Sequence, residues 1–378
     1  MGIKLTAQDM GIDLTFIPFR KIALTINRNG FTARTKGKDY TSTFKDVAIV
    51  LNRAQSKNRR LQAGYLMEML GKKTITSSHI EFTCYSKLRT LLHFWANGLP
   101  IPKTVYVPCD ATDTMKSGRE IHNEKDIADL LQDEIALDQG IVVKPDAGTH
   151  GKGTMLSKNR DQLVASIQET KPSIINPVGV TAQELVEKWF YDLRIIAYKE
   201  KGKPPFCHPV ALARGGLKDF RTNTYLGNTV FDAKIPMQIR ELAVKCGKAL
   251  GKDAEAWLFA LDAMINIGEN KTVDDIKLNS ELEKATAEFE KVRKVKQDEK
   301  QLRDFPSWNR ELEVAFNTYM NTKPYKTIKN LVEESIEKNK NNVVFHEANS
   351  CPEFWEHTRL IAGINLAVPL LKGAQSLI

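Results

Sequence analysis

The most informative stretch of this sequence is Gly140-Ile141-Val142-Val143-Lys144-Pro145, followed closely by Gly148-Thr149-His150-Gly151-Lys152-Gly153. Its first half is typical of a buried strand and its second half is a glycine-rich loop. Such a loop can cradle a phosphate, because glycine lets backbone N–H groups approach the anion. A lysine at the end of an apolar strand is costly unless its ammonium meets an anion, so Lys144 favours a phosphate partner. An ordinary loop and a surface lysine beyond the strand are the alternatives.

Two common nucleotide-binding motifs are excluded around this segment. The pattern Gly-x-x-x-x-Gly-Lys-Ser/Thr is absent, so the loop is not a P-loop. The loop also lacks the helix pattern and the acidic partner of a Rossmann fingerprint.

The composition is that of a soluble globular protein. The chain has 378 residues, 42% hydrophobic and 27% charged, enough for two or three subdomains. No apolar run reaches about 18 residues and the N-terminus lacks a signal-peptide pattern, so we expect no membrane partner. The five cysteines form no Cys-x-x-Cys pair, which argues against a disulfide framework or a structural zinc site and predicts a cytoplasmic protein.

The positive charge is concentrated at one end of the chain. Residues 1–110 hold 17 Lys and Arg against 7 Asp and Glu, whereas residues 269–342 hold 15 of each. A basic surface would attract nucleic acid, an acidic peptide or a phosphorylated small molecule. A solvated basic face without a partner is the alternative.

The first 85 residues read as a small α/β domain. Residues 13–50 alternate as strands do, beginning at Leu14-Thr15-Phe16-Ile17, and Asn29-Gly30 predicts a hairpin turn. Residues 47–51 resemble a buried parallel strand, and residues 60–70 a helix.

Further along the chain, Ser86 is placed to cap a helix that begins at Lys87. Residues 236–250 predict another helix, capped by Gly251. Residues 269–342 read as a helical insertion with three helices in a charged background. This insertion is open to three interpretations: recognition of a peptide or protein, a homo-oligomer interface, or a solvated elaboration.

Carboxylates follow two of the later strands. Asp262 comes after the apolar run 258–261, and Glu347 and Asn349 lie two residues apart in another strand, so both project from one face. Two carboxylates and an amide oxygen suit Mg²⁺. Taken alone, such residues are more often surface polar groups.

The order of these features resembles that of the ATP-grasp superfamily, and within it the RimK-like carboxylate–amine ligases. The matching stretches are Ser86 to Thr90, Gly98 to Thr104, Val142 to Gly153, Gln183 to Val186, Asp192-Leu193-Arg194, Asp219-Phe220-Arg221-Thr222-Asn223 and Glu347 to Pro352. The resemblance implies an α/β ATP-grasp fold. It places an N-terminal α/β domain at 1–85, a central subdomain at 86–187, and a C-terminal subdomain at 188–378 with the insertion 269–342.

The resemblance also implies ATP and Mg²⁺, with Mn²⁺ as an alternative metal, and a role for each matching residue. ATP would meet Lys87, Lys144, Gly151, Lys152, Gly153, Gln183, Glu184, Leu185, Val186 and Asp192. The metal would be held by Asp262, Glu347 and Asn349. The reacting carboxylate and phosphoryl groups would meet Arg194, Arg221 and Asn223.

The implied reaction joins a carboxylate to an amine in two steps through an acyl phosphate. An amino acid such as glutamate would be added to a peptide, a protein or a small amino-acid-like acceptor. A kinase on the same fold is the first alternative. A nucleic-acid-binding protein is the second, although the chain lacks a recognisable motif for that role.

The sequence departs from the family pattern in three places. Glu353 replaces a glycine after the Glu-x-Asn strand, His150 stands where a glutamine is common, and the insertion separates the two metal-ligand strands. Glu353 would place a bulky anionic group near the acceptor site.

Overall fold

Four β-sheets organise the part of the chain that the structure, a computed structural model, describes. The described residues are 2–28, 30–54, 56–109, 123–148, 151–172, 179–216, 220–222, 224, 227–268, 270 and 273–378. Asn223, Asp219 and His150 lie outside them. No helix within these ranges has the length and apolar character needed to cross a membrane.

The N-terminal region contains an antiparallel three-stranded sheet, a parallel pair of strands and five helices. Its elements are α1 (Gly2–Asp9), a 3-10 turn (Phe19–Lys21), β1 (Ala23–Asn27), β2 (Gly30–Thr35), β3 (Lys38–Asp39), α2 (Thr41–Asp46), β4 (Ile49–Leu51), α3 (Lys57–Met69), β5 (Lys73–Ile75), α4 (Ser78–Tyr85) and α5 (Lys87–Ala96). The predicted hairpin and helices form, and β4 pairs in parallel with β5. Two predictions are wrong in detail: residues 14–17 form no strand, and β4 is half-buried rather than buried.

The second region is a four-stranded antiparallel sheet covered by two helices. Its elements are β6 (Thr104–Val107), α6 (Glu124–Glu134), β7 (Ile141–Lys144), β8 (Met155–Ser157), α7 (Arg160–Thr170) and β9 (Val180–Glu184). The strand order is β6-β9-β7-β8. Ile141 and Val143 of β7 pack on Leu131 and Leu163 of the helices, and this gives the sheet a core of its own.

The third region is built on a six-stranded sheet. Its elements are β10 (Tyr191–Lys199), β11 (Phe206–Cys207), β12 (Val210–Gly215), β13 (Thr229–Lys234), α8 (Met237–Gly251), β14 (Trp257–Ile265), α9 (Asp275–Lys296), α10 (Lys300–Arg303), α11 (Phe305–Asn321), α12 (Lys323–Lys338), a 3-10 turn (Lys340–Asn342), β15 (Val343–Asn349), α13 (His357–Leu360) and α14 (Ala367–Ser376). The order is β13-β12-β10-β14-β15, and β11 pairs with β10. The mixed α/β fold class predicted from the sequence is confirmed.

Alternation along the central strands gives this sheet two different faces. Leu193 and Ile195 of β10 point into the main core beside Phe259 and Leu261 of β14. The alternate positions Asp192, Arg194 and Asp262 therefore lie together on the opposite face, where polar groups meet.

The helical insertion packs onto this sheet with its apolar seam buried. Phe289 of α9, Phe316 of α11 and Ile336 of α12 are almost fully buried within the main core. The hydroxyl of Tyr319 donates to the carbonyl of Val230 on β13 at 3.1 Å. The interpretation of a purely solvated elaboration is therefore wrong for this face of the insertion.

Two sequence predictions about element ends need correction. Gly251 is the last residue of α8 rather than its cap, and Lys252 takes the left-handed backbone with φ +41°. A Cβ on Gly251 would lie 2.5 Å from the Trp257 ring, so a glycine at this position allows the helix and the ring to pack closely. Asp262 lies inside β14, not at its end.

Candidate active site

A cleft opens between the four-stranded and six-stranded sheets. On the side of the four-stranded sheet it is lined by Val142, Lys144, Gln183 and Glu184. On the side of the six-stranded sheet it is lined by Asp192, Arg214, Asp262, Met264, His346 and Glu347. Lys144 thus faces the carboxylates of Asp262 and Glu347 across one space, as the binding of an anion together with a cation requires.

Lys144 is the last residue of β7 and is buried. Burial, followed by the nearby ammonium of Lys87, lowers the pKa of Lys144 to about 8. The alternative of a surface lysine is therefore wrong. A buried ammonium at the wall of a cleft is a strong site for a phosphate, because little water competes with it.

Lys87 ties the start of α5 to the loop after β7. Ser86 caps α5 as predicted: its side chain accepts from the N–H of Arg89 at 3.0 Å. The Lys87 ammonium donates to the carbonyls of Pro145 and Gly148, each at 3.0 Å. The cation therefore stands at the base of the glycine-rich loop, within the lining of the cleft.

The glycine-rich loop depends on backbone that only glycine adopts easily. Gly151 and Gly153 have φ of +69° and +70°. The Arg221 guanidinium donates through Nη1 to the carbonyl of Gly151 at 3.2 Å. Arg221 follows β12 in the chain, so this bond joins the two sides of the cleft.

The segment from β9 towards β10 forms the wall next to Lys144. The Gln183 side chain is buried and donates through Nε2 to the Thr104 hydroxyl at 3.0 Å. The Glu184 carboxylate accepts from the N–H of Lys103 at 2.8 Å. Leu185 and Val186 follow them along the wall.

A buried network of two arginines and two aspartates underlies the opposite wall. Arg214 donates to both oxygens of Asp192, at 2.9 and 2.7 Å, and reaches Asp262 at 3.1 Å. Arg194 donates to both oxygens of Asp262, each at 2.9 Å. Burial alone would raise the pKa of Asp262, but Arg194 and Arg214 outweigh it and hold that pKa well below its ordinary value.

A β-bulge in β15 aims two adjacent residues into the cleft. Asp262 pairs with Glu347 and Ala263 with Phe345, which leaves His346 as the extra residue. Burial would raise the pKa of Glu347, but Lys87 and Lys57 outweigh it and the pKa is lowered. Burial and Lys144 lower the pKa of His346 to about 4.

The donor chemistry of this wall fits a magnesium ion. The ionised carboxylates of Asp262 and Glu347 are partners across β14 and β15, and Asn349, two residues from Glu347, offers an amide oxygen. Among the described residues, no group of three or more His, Cys, Asp or Glu side chains is placed to hold a metal ion by itself. Mg²⁺ commonly takes one or two carboxylates and completes its shell with substrate phosphates and water.

The structure brings most of the predicted site residues together. Those that line the cleft are Lys87, Lys144, Gly151, Lys152, Gln183, Glu184, Leu185, Val186, Asp192, Arg221, Asp262 and Glu347. Gly153, Arg194 and Asn349 are outside that lining, and Arg194 reaches it only through Asp262. Asn223 lies outside the described residues, so its role stays a prediction.

Three residues of this region were missed from the sequence. Arg214 directly follows the apolar run Val210-Ala211-Leu212-Ala213, and a charged residue at the end of such a run indicates a buried ion pair. His346 directly precedes Glu347, so strict alternation along a strand predicts that its side chain points away from the cleft. Lys57 comes from the distant N-terminal region and donates to the Tyr85 carbonyl at 3.3 Å, and burial lowers its pKa although Glu347 opposes this.

Sequence comparisons relate this chain to known proteins. A family model described as RimK-like ATP-grasp domain matches residues 113–303, about half of the chain. An alpha-aminoadipate–LysW ligase, LysX, of Saccharolobus solfataricus is 26% identical over 54% of this chain and 67% of its own length. A probable alpha-L-glutamate ligase of Coxiella burnetii is 27% identical over 49% of this chain and 54% of its own length.

Solved structures share the fold at low identity. The VanG D-Ala:D-Ser ligase of Enterococcus faecalis has a TM-score of 0.55 at 12% identity, with 94% of this chain and 79% of that chain covered. The biotin carboxylase domain of a 2-oxoglutarate carboxylase from Hydrogenobacter thermophilus, in complex with MgADP, has a TM-score of 0.51 at 11% identity. That match covers 87% of this chain and 54% of the other.

Proposed function

This chain belongs to the RimK-like ATP-grasp family and is an ATP-dependent ligase, and from this premise we propose that it joins a carboxylate to an amine through an acyl phosphate. The observation that carries the proposal is the cleft in which Lys87 and Lys144 face Asp262 and Glu347. Its cations suit a polyphosphate, and its carboxylates suit the metal that such a phosphate carries.

We assign the nucleotide to the side of the cleft formed by the four-stranded sheet. Lys87 and Lys144 would neutralise phosphate oxygens while the loop at Gly151, Lys152 and Gly153 covers them. Gln183 to Val186 would line the adenine and ribose. Asp192 would act from the opposite wall through its pair with Arg214.

Asp262, Glu347 and Asn349 would hold Mg²⁺, which supplies Lewis-acid charge neutralisation of the phosphates when bound. Arg194 and Arg214 fix the Asp262 carboxylate with both oxygens accepting hydrogen bonds, so its orientation is set before ligand arrives. Mn²⁺ stays a prediction as the alternative metal.

The protein residues then act by alignment and charge. A carboxylate oxygen of the substrate attacks the γ-phosphorus, and the bond to the β–γ bridging oxygen breaks to release ADP. The amine nitrogen next attacks the acyl carbon, loses a proton and expels phosphate, which leaves an amide. Arg221, held at the loop by Gly151, is placed to neutralise the transferred group, and Arg194 and Asn223 are assigned to the same centre.

We propose an α-amino acid as one substrate, glutamate being the first to test, and a peptide, protein or small amino-acid-like compound as the acceptor. The names of the relatives described above, an alpha-aminoadipate–LysW ligase and a probable alpha-L-glutamate ligase, support an acidic amino acid. The acceptor would approach beside Glu353, where the insertion meets the chain after β15: Trp355 donates through Nε1 to Asn309 of α11 at 3.0 Å.

We further propose that residues 1–85, 86–187 and 188–378 act as N-terminal, central and C-terminal units of this ligase. The separate cores of the four-stranded and six-stranded sheets support the boundary near residue 187. All five cysteines are free, which supports a reducing compartment such as the cytoplasm.

The test follows oxygen from the acid. The full chain is incubated with ATP, Mg²⁺, pooled amino acids and a single ¹⁸O-labelled acid at a time, and phosphorus NMR and mass spectrometry follow the products. An acyl phosphate intermediate requires that one labelled oxygen leave in inorganic phosphate for every amide formed.

Label that stays in the acid while ADP accumulates would contradict the proposal. A phosphate ester of an alcohol as the product would instead identify a kinase on the same fold. The matched control is Arg221→Lys, which keeps the charge but loses the planar fork of donors.

A further inference from the structure

The first strand of the N-terminal sheet is exposed along its whole length. All five residues of β1 are exposed. Within the described residues β1 pairs with β2 and with no other strand, so its outer edge has no strand partner. An exposed edge is a ready template for another extended polypeptide, and proteins usually protect it.

An apolar row crosses this hairpin from its buried strand to its exposed one. On β2, Ala33 is fully buried and packs with Tyr40, Phe44 and Met67. Leu24 lies directly opposite Ala33, and Ile26 directly opposite Phe31. Leu24 is nevertheless 37% exposed and Ile26 75% exposed, so the core face of the hairpin continues into solvent.

The segment that contains this hairpin is positively charged. Residues 20–38 contain six basic residues and no acidic one: Arg20, Lys21, Arg28, Arg34, Lys36 and Lys38. The first acidic residue after them, Asp39, is bonded to Arg34 at 2.8 Å. The remaining five cations precede or follow the exposed strand β1 in the sequence, and residues 20–38 contain no acidic residue to compensate them.

We propose that β1 is a docking surface for an acidic polypeptide, which adds an extended segment to the free edge and places alternate apolar side chains on Leu24 and Ile26. The mode is strand addition, in which main-chain hydrogen bonds supply affinity and alternate side chains supply selectivity. The carboxylates of the partner would meet Arg28 and Lys36 near the two ends of the hairpin. This surface is separate from the cleft, so the inference goes beyond the proposed ligase activity.

The charge and the apolar side chains of the hairpin favour an acidic polypeptide over a second copy of this chain and over a nucleic acid. A second copy of the chain would bring its own basic hairpin against this one, and like charges repel. A nucleic acid would satisfy the cations but leave the strand edge and the apolar side chains without partners, because exposed Leu24 and Ile26 offer no stacking platform.

The test measures binding of a labelled octapeptide of alternating Glu and Val, capped at both ends, to the full chain without ATP at about 0.1 M salt. The comparison probes are the same peptide with its two central Val residues replaced by Pro and a mixed-sequence single-stranded oligonucleotide. The variants are Ile26→Ser and Arg28→Glu/Lys36→Glu. Their matched controls on the insertion are Ile276→Ser, at an 83% exposed site, and Lys294→Glu/Arg303→Glu.

We expect saturable binding of the alternating peptide, weakened about tenfold by each hairpin change and unchanged by each control change. The proline peptide should bind about tenfold more weakly, because proline cannot extend the ladder. No saturation up to about 1 mM peptide would overturn the proposal. Equal binding of both peptides, tighter binding of the oligonucleotide, or dimerisation that Ile26→Ser abolishes would overturn it as well.

Discussion

Arg293 of the insertion donates through Nη2 to the backbone carbonyl of Asn228 at 2.6 Å. The Asn228 side chain in turn donates to the carbonyl of Arg221 at 2.9 Å, and Arg221 reaches Gly151 at 3.2 Å. A helix far along the sequence thus supports the arginine that joins the two walls of the cleft. The insertion therefore has a structural link to the cleft.

Replacement of Arg293 should disturb this link more than it disturbs ATP binding. We expect Arg293→Ala to lower kcat by about tenfold to a hundredfold with less than about a threefold change in KM for ATP, because a small displacement of a positioned group is costly. Steady-state kinetics measures both constants. Lys294→Ala, at the exposed neighbouring position, is the control, and equal kcat values in the two variants would contradict the link.

Arg221 itself should act on the reaction rather than on nucleotide affinity. We expect Arg221→Ala to lower kcat by at least about a hundredfold while the Kd for ADP, from calorimetry, stays within about threefold. The reason is that Lys87 and Lys144, on the other wall, retain the phosphates. Product formation near the wild-type rate would remove Arg221 from the mechanism.

Substitution of Asp262 should mainly reduce stability, whereas substitution of Glu347 should mainly weaken Mg²⁺ binding. Asp262→Asn leaves Arg194 and Arg214 without their shared carboxylate, so we expect a loss of about 3–5 kcal/mol in the free energy of unfolding. In Glu347→Gln the neighbouring ammoniums of Lys57 and Lys87 keep their hydrogen bonds to backbone carbonyls, so we expect a smaller loss of about 1 kcal/mol. We also expect at least about a tenfold rise in the Mg²⁺ concentration for half-maximal activity. Urea unfolding and Mg²⁺ titration measure the two effects.

If Glu347→Gln kept its Mg²⁺ requirement unchanged, the assignment of this carboxylate to the metal would be wrong. If Asp262→Asn were as stable as the wild type, the network with the two arginines would not be formed in solution.

Lys144 should impose an alkaline limit on ATP capture. Its pKa is lowered to about 8 by burial and by Lys87, so the ammonium is charged below that pH and loses its proton above it. We expect kcat/KM for ATP to fall by about tenfold per pH unit above pH 8, since this constant reports ionisation of the free enzyme. Lys144→Arg should abolish the fall, because arginine stays charged.

Lys152→Arg, in the exposed part of the same loop, is the control and should keep the alkaline fall. A profile of kcat/KM that is flat to pH 9.5 in the wild type would show that the charge of Lys144 does not govern ATP capture.

Local sequence patterns account for the order of the chemical groups and for the helices and strands that carry them. The strand ending at Lys144, the cap at Ser86 and the buried seam of the insertion follow from periodicity and local hydrogen bonding, which depend only on near neighbours. The ordered motifs sufficed to predict the fold class and twelve residues that line the cleft.

Which of these groups come into contact depends on long-range packing. Arg214 pairs with Asp192 and Asp262, and Lys57 stands beside Glu347, because separate strands and the distant helix α3 are brought together by packing that no local pattern encodes. His346 faces the cleft because a bulge breaks the two-residue alternation, and a bulge depends on the register with a partner strand. The burial that lowers the pKa of Lys144 is likewise a property of the assembled sheets.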